Sequence, residues 1–310
     1  MKKKSITRRD FLKAAAVAPL AGAIVSSALA AGSAASAAWP AGSQTASSVA
    51  SKSRVILIRD LNVLGADRKC VPSVVSRMLD EAVASLFGEK DAAAAWKRII
   101  KPKDTVGIKT NIWKYLATGP EIEQHLKRRV LDCGVPEDKV GIADRGLLNN
   151  PLFTGATALI NVRPARTHHW AGMGGCLKNM IMFVPQPFTH HGDSCADLAT
   201  IWELPEVKGK VRLNVLVMLT PLFHGIGPNH YSDQYVWDYK GLLLGLDPVA
   251  VDSTGVRILQ AKRREFFGEE RPLQPPAHHV FYADTRHHLG TSDPAKIDLV
   301  KLGWPEGLLI

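Results

Sequence analysis

"RVILIRD", Arg54 to Asp60, is an unbroken apolar run closed by charge. A half-exposed strand would alternate apolar and polar residues. An uninterrupted run bounded by polar ends reads as a strand buried on both faces, the habit of parallel sheets with a helical layer on each side. Moving forward from it, Val75, Met78, Leu79, Ala82, Val83 and Leu86 recur at helical spacing after Pro72, and Gly88 stops the pattern. "DTVGIKTN" (Asp104 to Asn111) is the next strand, and "PEIEQHLKRRVLDCG" (Pro120 to Gly134) the next helix, with proline at its start and glycine at its end. "KVGIAD" (Lys139 to Asp144) and "TALINVRP" (Thr157 to Pro164) follow as strands.

The alternation of strand and helix requires crossover connections. It predicts an α/β fold, a three-layer mostly parallel sheet with helices on both faces. Further along, "VRLNVLVMLTPLF" reads as a long buried strand and "KGLLLGLDPVAVDSTGVRILQAKR" as strand, turn and helix. His287 and His288 are expected to finish a last helix before "KIDLVKL". Residues 54–310 form one α/β domain, with an insertion expected around 165–240, where histidines, glycines and prolines crowd.

Moving backward, residues 39–53 are mostly small and polar and read as a linker. Ahead of them, residues 1–38 carry Thr7-Arg8-Arg9-Asp10-Phe11-Leu12-Lys13 before an alanine-rich stretch with A-x-A sites at Ala28-Leu29-Ala30 and Ala35-Ser36-Ala37. That is a twin-arginine export signal, too weakly apolar for a membrane span, and it names the twin-arginine translocation machinery as a partner and the periplasm as destination. This route carries proteins already folded, often with a cofactor inserted. Lys2, Lys3, Lys4, Arg8, Arg9 and Lys13 against Asp10 account for half of the formal charge of +10, leaving +5. No dense basic run with interleaved aromatics argues for nucleic acid. Cys70, Cys133, Cys176 and Cys195 allow three disulfide connectivities, which a chain that folds before export has little need of.

In open parallel sheets, ligands sit beyond the carboxyl ends of strands. That rule selects Lys109 and Asn111 after "VGI", Asp144 and Arg145 after "KVGIA", Arg166, His168 and His169 after "LINVRP", and Asp247 after "GLLLGL". A lysine in an apolar strand either meets an anion or carboxylate or snorkels to solvent. If Lys109 holds ligand, Lys109→Met abolishes binding and spares folding; equal loss of folding marks a structural lysine. In "RTHHWAGMGGCLKN", Arg166 and Lys178 bracket glycines, of which Gly174 and Gly175 would let backbone amides approach an anion, with Asn179 beside them. His168, His169 and Asp252 are the acid–base candidates. His191, His224 and His230 are the imidazoles suited to a divalent metal, although adjacent histidines are expected to point apart and supply one ligand per pair.

"VGIKTN", "RTHHWAGMGGCLKN", "HHGDSCADLATIWE", "HGIGP", "KGLLLGLDPVAVDSTG" and "HHLGTSDPAKIDLV" together resemble, in order and spacing, the domain of unknown function 362 family over about residues 54 to 300. The resemblance implies a redox setting, since many members are linked to ferredoxin-like iron–sulfur modules, and hence a redox partner protein. This chain has no C-x-x-C-x-x-C run, which argues against an intrinsic iron–sulfur cluster. Lys109, Asn111, Lys178, Asn179, Asp247 and Asp252 match the family pattern, whereas Arg166 stands where lysine is usual, followed by His168 or His169. The positive charge is kept and the amine needed for a Schiff base is lost. Two functions stay open. One is an exported enzyme or cofactor protein gripping an anionic small molecule at strand ends, metal-assisted or redox-associated. The other is a non-catalytic accessory or ligand-binding protein of a periplasmic redox pathway.

Overall fold

In the computed structural model, residues 52–225 and 231–310 are described; the signal, most of the linker and His230 lie outside them. The strands are β1 (Ser53–Arg59), β2 (Val106–Lys109), β3 (Val140–Ala143), β4 (Ala158–His168), β5 (Gly172–Gly174), β6 (Val211–Leu222), β7 (Gly241–Gly245) and β8 (Ile297–Gly303). They form one sheet in the order β3-β2-β4-β6-β7-β1-β8, with β5 hairpinned back on β4. The β3, β2, β4 and β6 ladders are parallel, as is β1 with β8.

The principal helices are α1 (Pro72–Phe87), α2 (Ala92–Ile99), α3 (Pro120–Asp132), the single turns α4 (Pro151–Thr154) and α5 (Cys176–Asn179), then α6 (Pro248–Phe267) and α7 (His278–Thr285). Strand β1 shows why the sheet needs two covers. Ile56 and Ile58 enter the core under α1, α2 and α3, while Val55 and Leu57 enter the one under α6. Each such side chain contributes about 1.5–3 kcal/mol of burial. Helix α1 buries the six apolar residues its spacing marks and ends at Gly88 in a left-handed conformation (φ 66°). Helix α2 is absent from the sequence expectations; Asp91 starts it, its carboxylate accepting from the amides of Ala93 and Ala94.

Three expectations are corrected. Strand β4 runs on four residues beyond Pro164, to His168. Strand β2 stops opposite Asn161, so Pro164 lies past the end of that neighbour and breaks no ladder bond there. Strand β7 pairs antiparallel with both β6 and β1. Asp247 therefore leaves the sheet at the opposite edge from Lys109, where it caps α6 through the amides of Val249 and Ala250 and accepts from Ser53 and Thr291. Finally, α7 ends at Thr285, short of His287, whose ring contacts Asp197 at 3.0 Å.

All four cysteines are free. Burial pushes the thiols of Cys133, Cys176 and Cys195 up and that of Cys70 to about 12, which suppresses the reactive thiolate. Native protein at neutral pH is expected to stay essentially unalkylated by iodoacetamide within an hour, whereas the unfolded chain takes up four labels by intact mass. Rapid native labelling at two or more sites would contradict the packing described.

Candidate functional site

Strands β2, β3 and β4 run parallel; β2 and β3 end together at one rim, and β4 runs on past them. The β4–β5 hairpin returns the chain to that rim, and α5 lays Lys178 and Asn179 against the ends of β2 and β4. What gathers there begins with a buried chain of polar groups. Lys109 Nζ donates to the Thr110 carbonyl (2.7 Å), Asp144 Oδ1 (2.6 Å) and Asn179 Oδ1 (3.2 Å). Asn179 Nδ2 donates to Asn161 Oδ1 (2.8 Å), and Asn161 Nδ2 to Asn214 Oδ1 (2.9 Å) on β6. Asp144 Oδ2 accepts from the Ile112 amide (3.2 Å).

The three N–H donors of Lys109 are thus all engaged, and its side chain is fully buried behind the site. Burial lowers its pKa to about 8 against the pull of Asp144. Burial also raises the Asp144 carboxyl, but the Lys109 ammonium outweighs it and holds the group below the usual carboxylate range. The geometry makes Lys109 a floor for the site rather than a hand toward ligand.

The glycines have a different purpose from the one expected. A Cβ on Gly174 would lie 2.7 Å from a guanidinium nitrogen of Arg163, and one on Gly175 would lie 2.4 Å from Asp252 Oδ1. They make room for side chains of the protein itself. The amides that an anion would have used are occupied, because Asp252 Oδ1 accepts from Cys176 N–H (2.7 Å) and Oδ2 from Leu177 N–H (2.8 Å). Asp252 is fully buried, and burial pushes its carboxyl up to about 6. None of Gly174, Gly175 or Asp252 lines the cavity beside them.

That cavity, about 280 Å³, is walled by Asn111, Trp113, Asp144, Arg163, Arg166, His168, Lys178, Asn179 and His191, among others. Arg166 donates to Asn111 Oδ1 (2.9 Å), and its guanidinium carbon stands 4.4 Å from the centre of the Trp113 ring. Lys178 Nζ has the Cys195 sulfur at 3.5 Å, and burial lowers its pKa to about 8. Arg163 is 4% exposed, and its Nε has no hydrogen-bond partner. Burial lowers its pKa; Asp144 and Asp252 favour its charge through space, but their oxygens are committed to Lys109 and to backbone amides. Arg163 and Trp113 are wall residues that sequence reasoning missed; for Arg163 a signal was present. The available signal was Asn161 and Arg163, two polar residues at strand period 2 inside an otherwise apolar run.

The histidines divide. His168 Nδ1 accepts from the Trp170 amide (3.2 Å), which leaves the proton on Nε2, and burial, then Lys178, holds the ring neutral far below its ordinary pKa. The His168 and His169 rings stack at 4.7 Å and 15° rather than pointing apart, because β4 ends at His168. His169 stays off the cavity wall, its Nδ1 without a partner. His191 lines the cavity under Trp170 (4.1 Å), its pKa lowered to about 4 by burial and by Lys178. His224 lines a separate cavity of about 430 Å³ and accepts from Arg263 at 2.9 Å. Among the described residues, no group of three or more His, Cys, Asp or Glu side chains is placed to hold a metal ion.

Residues 148–257 match the family model described as "Domain of unknown function (DUF362)", and residues 5–25 match that of the twin-arginine translocation pathway signal sequence. No curated protein and no solved structure matches the chain. The first segment contains Arg163, Arg166, His168, Lys178, Asn179 and His191; Asn111, Trp113, Asp144 and Arg145 complete the wall from outside it. The signal directs export through the twin-arginine pathway to the periplasm or beyond. Among the described residues, no helix is long and apolar enough to cross a membrane.

Proposed function

We propose that this exported protein with its DUF362 segment binds a small anion of the carboxylate, sulfate or phosphate kind in the cavity at the β2–β3–β4 rim. The observation carrying the reading is Arg163. An isolated guanidinium in a protein interior is a penalty of several kcal/mol. Here it faces a cavity beside Arg166 and Lys178, and the carboxylates near it have other partners. An incoming anion would give the guanidinium an acceptor on its cavity side, with the Nε2–H of His168 as a neutral donor from another lining residue. Binding is favoured over turnover, since of His168, His169 and Asp252 only His168 reaches the wall, and an imidazole with so depressed a pKa is a feeble base.

Titration calorimetry with sulfate, whose charge is constant across the range, tests this. Near neutral pH a single exothermic site is expected, weakening about tenfold or more by about pH 9.5 as Lys178 loses its proton. Stability runs the other way. The pKa of Lys178 is about 8 in the fold against 10.5 as its ordinary value, so between them the unfolded chain holds more of this proton and the contribution of Lys178 to the stability of the empty protein rises with pH. Absence of heat and of any melting shift with sulfate, phosphate and succinate at neutral pH would overturn the proposal.

A further inference from the structure

Four large apolar side chains left in solvent are neighbours, in the chain or in ring contact, of residues that wall the anion cavity. Phe188 is 68% exposed, Ile112 57%, Trp170 47% and Tyr115 38%. Ile112 sits between Asn111 and Trp113, whose side chains wall the cavity, and Phe188 follows Pro187, another wall residue. Trp170 packs on His191 of the wall at 4.1 Å and on His169 at 4.1 Å. Trp113 meets Tyr115 edge-on at 5.0 Å, and Tyr115 stacks on Tyr231 at 4.5 Å and 19°. Scattered exposed hydrophobics are ordinary; a ring of them about a cationic pocket is a binding feature.

The ring is also held in place. The Ile112 amide is tied to Asp144, and the loop is closed by Thr118 N–H to the Asn111 carbonyl (2.9 Å) and Leu116 N–H to the Trp113 carbonyl (3.0 Å). On the other side, Trp170 is fixed through its amide to His168. Exposed aromatics thus neighbour a cavity of about 280 Å³ whose wall carries Arg163, Arg166 and Lys178 beside the lysine-paired carboxylate of Asp144.

Resting on the anion-binding reading, we infer that the ligand is an amphiphilic anion: an acidic head seated against Arg163, Arg166 and Lys178, carried on a flat aromatic body that lies outside the cavity against Trp170 and Phe188. A bare inorganic ion would leave the apolar ring without a role, whereas an aryl group gains both burial and ring stacking there.

The exported protein, titrated calorimetrically with inorganic phosphate and with 1-naphthyl phosphate, gives the test, because the two share a head and differ in the body. The aryl ester is expected to bind at least about tenfold tighter. Trp170→Ala and Phe188→Ala, truncating exposed side chains, should each cut that affinity ratio severalfold. Equal affinities, or a ratio that survives both variants, would overturn the inference while leaving anion binding standing. If neither compound binds, the anion-binding reading itself fails.

Discussion

Arg163→Met is expected to weaken sulfate binding by about 100-fold or more, near 3 kcal/mol, without lowering the melting temperature. The two halves come from one fact. In the empty protein the guanidinium is desolvated and its Nε is unpartnered, so an apolar side chain of similar length removes a penalty from the fold. In the complex that guanidinium is the central donor to the anion, so the same change removes the best contact. Calorimetry and thermal unfolding on one preparation check both. A variant that melts lower and still binds would show Arg163 to be structural, and the functional reading would fall with it.

Lys109→Met is expected to have the opposite balance. Removing the ammonium strands Asp144 as a buried carboxylate and Asn179 Oδ1 without its donor. Breaking one side of a buried pair costs about 3–5 kcal/mol. In a chain of this size that corresponds to a fall in melting temperature of roughly 10 °C. Asp144→Asn added to the same chain should recover part of the loss, because the uncompensated charge is then gone. Sulfate affinity should fall only as far as the floor of the cavity is disturbed. A Lys109 variant that melts like the parent and fails to bind would return the lysine to the ligand.

The reversal of Lys109 from ligand group to support illustrates what could be read in advance. The layered architecture was visible because burial on both sides of a sheet writes itself as unbroken apolar runs such as "RVILIRD". Strand direction was not visible. "GLLLG" reads alike from either end, so the antiparallel course of β7, and with it the removal of Asp247 to the far edge, has no trace in residue type. Of the residues the rim rule selects, Asn111, Asp144, Arg145, Arg166 and His168 line one cavity, joined by Lys178 and Asn179 of the glycine stretch, because β4 runs on past the end of β2 and the β5 hairpin brings α5 back over them.

The glycines failed for a different reason. A glycine announces that something comes close to the backbone, and cannot say what. At Gly174 and Gly175 the visitors are Arg163, which the sequence reading did not single out, and Asp252, which it named for a different role. His191 and His224 were grouped by type alone; they line separate cavities, so position in the fold divides what composition joins.

The row of side-chain amides from Asn214 through Asn161 and Asn179 to Lys109 and Asp144 ties three neighbouring strands together beneath the cavity. Its members are hydrogen-bonded to one another and to the backbone, so the floor of the cavity is fixed by the fold itself, and the twin-arginine route carries chains already folded. On the anion-binding proposal, a guest arriving on the far side of the membrane would meet a receptacle whose floor has already surrendered its ordering entropy, leaving more of its affinity for capture.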